Sequence, residues 1–225
     1  SESWDYSGSC GVPSPGQSAK NQVVIMEKAI EHALSGRCLV YPTSTLPALG
    51  CIPQPEALDD LFSIKKRSYD SPVSLGVADI EQARRLVGVP PDVLEILEDF
   101  PSGSLSIILR CHEELDPRLG GSKIAIRVVS NPKAKELLRR TGPLTATSAN
   151  VSGEEPLNDC VSAATSLTSP ERPVMSVEGI CNGGAPSTLI AWHTVCDTPE
   201  SPSIEVVREG KISSEEVFAW WKKRT

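Results

Sequence analysis

Short apolar segments of helical and of strand periodicity alternate irregularly along this chain. Residues 23–34 have apolar positions at helical spacing that stop at Gly36, whereas residues 123–129 alternate strictly between a polar face carrying Arg127 and an apolar face. Such interleaving is typical of an α/β domain in which helices flank a twisted mixed β-sheet. Because 225 residues suffice to bury one sizeable core, we predict a single α/β domain.

The two ends of the chain are predicted to lie outside this domain. Residues 1–21 are rich in Ser, Gly and Pro and have no apolar periodicity, which indicates a flexible N-terminal tail. The domain itself is predicted over residues 22–212. A serine followed three residues later by a glutamate begins a final helix over residues 213–225. Its adjacent Trp220 and Trp221 could pack either on the core or on a partner.

The charge and the cysteine content exclude several classes of protein. A net charge of −7 and a pI of about 5.1 argue against a protein that coats nucleic acid, so any basic site is expected to be local. There is no apolar run of about 18 residues and no signal-peptide pattern, so we expect a cytoplasmic protein without a membrane segment. The seven cysteines include no Cys-x-x-Cys pair, so reduced thiols and no protein-bound metal are expected.

A cationic triplet, Lys65-Lys66-Arg67, ends a helical segment that begins at Pro55. Cations at a helix C-terminus complement the macrodipole by about 0.3–1 kcal/mol each, and this structural explanation suffices for the triplet alone. A second polar cluster, Ser148-Ala149-Asn150, follows a predicted strand about eighty residues later. The two clusters can meet in one anion-binding site. Lys66 faces differently from its neighbours and is predicted to be a solvated surface lysine.

These clusters belong to an ordered set of motifs that resembles the YrdC-type domain of threonylcarbamoyl-adenylate synthases. The set spans about residues 22–212 and consists of Pro42-Thr43-Ser44-Thr45, Lys65-Lys66-Arg67, Ala125-Ile126-Arg127, Thr147-Ser148-Ala149-Asn150, Pro186-Ser187-Thr188-Leu189-Ile190 and Arg208-Glu209-Gly210. The family's Lys-x-Arg and Ser-x-Asn signatures match as Lys65/Arg67 and Ser148/Asn150. The resemblance implies a YrdC/RibB-like fold with a concave ligand-binding cleft.

The resemblance also implies a reaction and its partners. The implied enzyme is a nucleotidyltransferase that condenses ATP, L-threonine and bicarbonate to threonylcarbamoyl-AMP and pyrophosphate, the first stage of the tRNA modification t6A. Mg²⁺ is expected to bridge the phosphates of ATP, without a metal bound by the protein itself. The product would pass to the downstream tRNA threonylcarbamoyl transferase.

Site roles follow from the resemblance, residue by residue. The implied catalytic and nucleotide-binding residues are Lys65, Arg67, Ser148 and Asn150, with Arg208 also at the nucleotide. Arg127 would bind the threonine carboxylate, with Thr43, Thr45 and Ser187 near the amino acid. From the residues alone, the alternatives are a strand arginine on a solvated face for Arg127, turn or strand chemistry for Thr43, Thr45 and Ser187, and a cap for Ser148 and Asn150.

Two other functions compete with the synthase. A non-catalytic module that binds nucleotide or double-stranded RNA is one, although the acidity of the chain predicts weak or no direct RNA binding. A relative of hydrogenase-maturation proteins that handle carbamoyl-adenylate is the other, but those chains are longer and multidomain. Departures from the family pattern, at Ser44, Pro47-Ala48, Ser71 and Ser102-Gly103-Ser104, concern the threonine and bicarbonate end of the site and a loop.

Overall fold

The strands of this protein form two mixed sheets instead of the single sheet predicted from the sequence. The structure is a computed structural model that describes residues 14–196 and 203–225. The strands are β1 (Leu39–Tyr41), β2 (Ala48–Gly50), β3 (Leu75–Val77), β4 (Leu105–Arg110), β5 (Lys123–Val128), β6 (Leu144–Thr145), β7 (Thr147–Ser148), β8 (Met175–Ser176), β9 (Thr188–Ala191) and β10 (Glu205–Arg208).

The two sheets meet where the chain passes from one to the other. The larger sheet has the order β10-β9-β4-β5-β3-β6, and the smaller has the order β7-β2-β1-β8. Both contain parallel and antiparallel pairs, which confirms the α/β class with mixed sheets. Only Ala146 separates β6 from β7, and the Thr145 hydroxyl at the end of β6 donates to the carbonyl of Leu49 in β2 at 3.1 Å. The sheets are therefore fastened together at this crossing.

Helices flank the sheets, as predicted. They are α1 (Pro15–Leu34), α2 (Pro55–Lys65), α3 (Ile80–Arg84), α4 (Pro91–Asp99), α5 (Pro132–Thr141), α6 (Cys160–Leu167) and α7 (Ser214–Lys222). A 3-10 turn at His193–Val195 follows β9.

The predicted tail boundary at residue 21 is wrong because it falls inside α1. The helix begins at Pro15, a residue type favoured at the first helical position. Its first turns bury no side chain, since the buried positions begin at Met26, so no apolar stripe could reveal them in the sequence. The remainder of the predicted tail, residues 1–13, lies outside the described residues.

Helix α2 is fixed by its apolar face, and this determines where its C-terminal end lies. Leu58, Leu61 and Phe62 are at most 1% exposed and belong to the larger apolar cluster. The helix ends after Lys65, and Lys66 adopts the left-handed conformation with φ of 50°. A non-glycine residue in this conformation is uncommon, and here it turns the chain sharply out of the helix.

The final helix, α7, packs on the core of the same chain. The indole rings of Trp220 and Trp221 lie 6.3 and 6.0 Å from the buried ring of Trp192, measured between ring centroids. The Trp220 indole N–H also donates to a carboxylate oxygen of Asp99 at 2.6 Å. The structure thus decides between the two alternatives left open for this helix.

Replacing Ser213 by alanine should lower the free energy of unfolding by about 1 kcal/mol, because the predicted capping box is present in the structure. The Ser213 hydroxyl accepts from the backbone N–H of Glu216 at 3.2 Å, and the Glu216 carboxylate accepts from the backbone N–H of Ser213 at 3.2 Å. Urea denaturation measures the change. Ser214→Ala, one residue later, is the matched control and should change stability by less than about 0.5 kcal/mol. Equal losses for both variants would refute the cap.

Candidate functional site

A cavity of about 400 Å³ lies at the crossing between the two sheets. Its floor comes from β4, β5 and β9, and its walls come from the loop after β1, the chain that follows α2, and the β6–β7 crossing. The lining residues are Thr45, Leu46, Pro47, Ala48, Arg67, Pro72, Val73, Ser74, Ser106, Ile108, Leu119, Gly120, Lys123, Ala125, Arg127, Ala146, Thr147, Ser148, Pro186, Ser187, Leu189, Val207 and Arg208.

The charged side chains that line this cavity are all cationic. They are Arg67, Lys123, Arg127 and Arg208, and no Asp or Glu lines the cavity. The chain as a whole carries a net charge of −7, so this concentration of positive charge is local, as the sequence predicted. A concave site lined by one sign of charge attracts ligands of the opposite sign. The cavity is therefore suited to an anion with several negative groups.

Arg127 is the most buried of the four cations, with 5% of its surface exposed. Its guanidinium donates to the carbonyl of Gly103 at 2.9 Å, to the hydroxyl of Thr45 at 2.9 Å and to the hydroxyl of Ser44 at 3.3 Å. These partners are neutral, and none of the ion pairs between described residues includes Arg127. The alternative of a solvated strand arginine is therefore wrong.

The electrostatics of Arg127 favour an anionic ligand. Burial is the main cause that lowers the pKa of its guanidinium, and the charge of Arg208 lowers it further, while Tyr41 acts in the opposite direction. A buried cation is costly unless an opposite charge accompanies it. A carboxylate bound in the cavity would supply that charge on a guanidinium whose orientation is already fixed by hydrogen bonds.

Arg67 and Arg208 reach the same cavity from different elements. Arg67 follows α2, and its guanidinium donates to the carbonyls of Ser71 at 2.7 Å and Pro72 at 2.9 Å. Arg208 ends β10 and donates to the carbonyl of Ser187 at 2.8 Å. The pKa of Arg67 is lowered first by burial and then by the charge of Arg208, so these two cations repel each other. A polyanion bound between them would relieve this repulsion.

Hydroxyl groups line the cavity beside Arg127. The side chains of Ser187 and Ser106 are buried, and their hydroxyl oxygens lie 2.7 Å apart. Ser187 was predicted from the sequence as a site residue, whereas Ser106 was not. Ser106 precedes Ile107, the β4 residue that pairs with Ile126 of the antiparallel strand β5. Ser106 therefore lies opposite Arg127 on the neighbouring strand. Only this register, and no motif within the chain, could have revealed it.

The two predicted threonines differ in position. Thr45 lines the cavity, whereas Thr43 does not. The Thr43 hydroxyl donates to the carbonyl of Leu46 at 2.6 Å and accepts from the backbone N–H of Thr45 at 3.2 Å. Thr43 therefore shapes the loop that presents Thr45.

Lys123 was also missed as a site residue. It lies at the start of β5, is exposed, and lines the cavity. Its position on the same alternating face as Arg127 was a signal visible in the sequence. What could not be read there is that this end of the strand borders the cavity.

The two signature pairs come together as predicted, but not all four side chains line the cavity. Arg67 and Ser148 line it, whereas Lys65 and Asn150 do not. The Lys65 ammonium donates to the backbone carbonyls of Ser148 at 2.5 Å and Asn150 at 2.9 Å. The prediction that Lys66 is a surface lysine is confirmed, since its side chain is exposed.

The Asn150 side chain holds the segment after β7, and its amide oxygen has no hydrogen-bond partner among the described residues. Its amide nitrogen donates to the carbonyls of Val151 at 3.0 Å and Glu154 at 2.7 Å. Its amide oxygen is buried and has no hydrogen-bond partner among the described residues. Buried polar atoms of this kind are rare in folded proteins. The oxygen can accept a hydrogen bond from a water molecule or from a ligand.

The burial of Lys65 predicts a pH dependence of stability. Desolvation, and secondly the charge of Arg67, lower its pKa from 10.5 to about 8. Between these pH values the unfolded chain therefore binds more protons at Lys65 than the folded chain. The contribution of Lys65 to stability should consequently rise as the pH increases from about 8 to 10.5.

Urea denaturation of the wild type and of Lys65→Met across this pH range measures the effect. The free energy of unfolding of the wild type minus that of the variant should increase with pH, because methionine does not titrate. A difference that stays constant or decreases would contradict the lowered pKa.

The side chains that line the cavity include none of the residue types that most often bind metal ions in proteins. None of its lining residues is Asp, Glu, His or Cys. Across residues 14–196 and 203–225, no group of three such side chains is arranged to hold a metal.

None of the helices in the described part of the chain is long and apolar enough to cross a membrane.

Curated relatives of this chain include two bacterial proteins named threonylcarbamoyl-AMP synthase. The Bacillus subtilis protein is 30% identical over 187 residues, which are 80% of this chain and 52% of the relative. The Marinobacter nauticus protein is 32% identical over 134 residues, which are 57% of this chain and 70% of the relative. The chain thus spans about half the length of the Bacillus subtilis protein.

The fold and the family are shown by two further comparisons. The crystal structure of P. abyssi Sua5 complexed with L-threonine matches with a TM-score of 0.74 and 23% identity, covering 86% of this chain and 56% of that one. At this identity the likeness shows the fold alone. Residues 31–210 match the model of the Sua5/YciO/YrdC family, described as "Telomere recombination". This match covers well over half of the chain, which therefore belongs to the Sua5/YciO/YrdC family.

Proposed function

We propose that this chain is a threonylcarbamoyl-AMP synthase that binds ATP, L-threonine and bicarbonate in the cavity between its two sheets. The observation that carries the proposal is the cavity itself, which collects four cationic side chains and no carboxylate in an acidic chain. ATP and threonine both present negative groups that such a site would hold. The names of the curated relatives support the same reaction.

The reaction needs alignment and charge neutralisation more than a protein nucleophile. The threonine amine and bicarbonate form a carbamate with loss of water, and a carbamate oxygen then displaces pyrophosphate from the α-phosphorus of ATP. Arg67 and Arg208 neutralise the negative charge that grows on the phosphates. Lys123, which is exposed at the edge of the cavity, contributes a further positive charge. Ser148 contributes a hydrogen bond from the β6–β7 crossing. Holding the carbamate in line with the leaving pyrophosphate supplies the remainder.

The amino acid occupies the end of the cavity that contains Arg127. The Arg127 guanidinium pairs with the threonine carboxylate, and its hydrogen bond to the Thr45 hydroxyl keeps it in place. The pair of hydroxyls at Ser106 and Ser187 shares one hydrogen bond, so the second hydroxyl proton can be donated to the substrate. This end therefore offers both a charge and a hydroxyl donor to threonine.

Mg²⁺ enters with ATP as part of the substrate. The lining has no carboxylate that could ligate it, so the phosphate oxygens would hold the ion. The product, threonylcarbamoyl-AMP, is then passed to a tRNA threonylcarbamoyl transferase for t6A synthesis. Direct contact with RNA is expected to be weak at a net charge of −7.

Pyrophosphate release tests this proposal. Purified protein should release pyrophosphate when ATP, L-threonine and bicarbonate are all present, and omission of any one should abolish the release. Turnover of ATP that does not depend on threonine would contradict the proposal. Absence of turnover together with tight, salt-resistant binding of duplex RNA would favour the non-catalytic module.

A further inference from the structure

We infer that Lys65 is a positioning residue that fastens the Ser148–Asn150 segment to the end of α2, and that it does not contact the phosphates. The role of the segment in catalysis rests on the proposed function. The hydrogen bonds between Lys65 and the segment do not depend on that proposal. This assignment separates the two cations of the Lys-x-Arg pair into different roles. Arg67 acts in the cavity, and Lys65 acts behind its wall.

Two hydrogen bonds join Lys65 to this segment, and a third joins it to Ser152 just beyond the segment. The side-chain ammonium donates to the carbonyls of Ser148 and Asn150, and the Lys65 carbonyl accepts from the backbone N–H of Ser152 at 2.8 Å. An ammonium has three N–H donors, of which the two carbonyls take two. The side chain is 1% exposed and is absent from the cavity lining. Lys65 is therefore committed to the backbone of the segment.

Besides Lys65, the segment is held by a short strand, by a few backbone hydrogen bonds and by the Asn150 side chain. Strand β7 consists of two residues and ends at Ser148. Beyond it, the Ala149 N–H donates to the carbonyl of Pro47 at 2.9 Å, and the Asn150 N–H donates only within the segment, to Ser148, at 3.0 Å. The ammonium binds the carbonyls on either side of Ala149, those of Ser148 and Asn150. The Ser148 side chain is thereby kept on the side that faces the cavity.

The end of α2 is rigid enough to serve as the anchor. Residues immediately before Lys65 on the helix are fixed in the core, as Leu61 and Phe62 are at most 1% exposed. The left-handed turn at Lys66 then sends the chain in a new direction, so that Arg67 reaches the cavity while Lys65 points to the backbone. A single helix end thus aligns one phosphate-binding cation with the hydroxyl-bearing wall opposite.

Lys65→Met tests the inference because methionine keeps an unbranched side chain, one atom shorter, and removes its hydrogen-bond donors. The matched control is Lys66→Met, the exposed neighbour, and Arg67→Met is the comparison for a cation in the cavity. Two readouts apply to the folded variants: hydrogen exchange of the amides of Asn150 and Ser152, and the Kd values for ATP and for AMP measured by calorimetry.

We expect Lys65→Met to speed amide exchange in the segment by at least about tenfold. In the pyrophosphate-release assay described above, its kcat should be about 100-fold lower than that of the wild type. Affinity for ATP and AMP should fall by the same factor, so that their ratio stays within about twofold. Arg67→Met should leave exchange unchanged and weaken ATP at least about tenfold more than AMP, because AMP lacks two of the phosphates. Lys66→Met should resemble the wild type in both readouts.

A selective loss of ATP affinity in Lys65→Met with unchanged exchange would overturn the inference and make Lys65 a phosphate ligand. Should the methionine variant not fold, Lys65→Gln, which keeps a donor on a shorter side chain, gives the same comparison. If the wild type binds neither nucleotide, the proposed function fails, while the exchange measurement still decides whether Lys65 holds the segment.

Discussion

Replacing Arg127 by methionine should lower kcat/KM for threonine by about 10²–10³-fold, the largest effect expected from any single change in the cavity. The guanidinium is buried and surrounded by neutral partners, so its charge is available to the substrate and is weakly screened by water. Methionine retains the bulk of the side chain but cannot pair with a carboxylate. Pyrophosphate release at varied threonine concentration measures the loss.

Arg110→Met is the matched control for this change. Arg110 lies on neighbouring strand β4, is exposed, and donates to the carbonyl of Thr194 at 3.2 Å, outside the cavity. Its replacement should leave kcat/KM within about twofold, as expected for a surface residue away from the site. Arg127→Met that remains folded and retains more than about a tenth of the wild-type kcat/KM for threonine would show that Arg127 does not bind the carboxylate.

Replacing Arg67 by methionine should weaken ATP binding by about 10–100-fold and should slow pyrophosphate release at saturating threonine. Arg67 is partly desolvated and held by two backbone carbonyls, so its charge is fixed before ATP arrives. Calorimetry with ATP measures the affinity. The neighbouring substitution Lys66→Met removes an equal charge from the exposed side of the same turn.

The distinction between these neighbours makes the Arg67 prediction decisive. If both variants lost ATP affinity equally, the loss would reflect the overall charge of the region and not a contact in the cavity. If neither variant lost affinity, the phosphates would have to bind elsewhere.

Local features of the fold could be predicted well from the sequence. The way in which these features combine could be predicted less well. Local patterns placed the start of α7 correctly and the end of α2 to within two residues, because these signals lie within a few residues of each other. The division into two sheets was missed, since strands of two or three residues carry too little alternation to specify their partners. The early start of α1 was missed because its first turns bury nothing.

The site shows the same limit at the level of single side chains. The order of the motifs predicted that four residues lie in one region: Lys65, Arg67, Ser148 and Asn150. It did not predict the directions in which their side chains point. Those directions depend on the left-handed turn at Lys66 and on which backbone carbonyls lie nearby, and both are consequences of tertiary packing. For this reason Lys65, predicted as a nucleotide ligand, lies outside the lining of the cavity.

One departure from the family pattern acquires a physical meaning in the structure. This departure is Ser44, and its hydroxyl accepts from the Arg127 guanidinium at 3.3 Å. A carboxylate at this position would neutralise Arg127, whereas a hydroxyl leaves its charge for a ligand. The departure is thus compatible with binding of an anionic substrate at this end of the cavity.

The most direct test of the proposed synthase is whether carbon from bicarbonate becomes part of a nucleotide product. Purified protein would be incubated with ATP, L-threonine and ¹³C-labelled bicarbonate, and the products would be analysed by mass spectrometry. We predict one labelled carbon in threonylcarbamoyl-AMP, with an equal amount of pyrophosphate, and at least about a hundredfold slower formation by Arg127→Met at low threonine concentration. Pyrophosphate or AMP formed without any labelled adduct would contradict the proposed function.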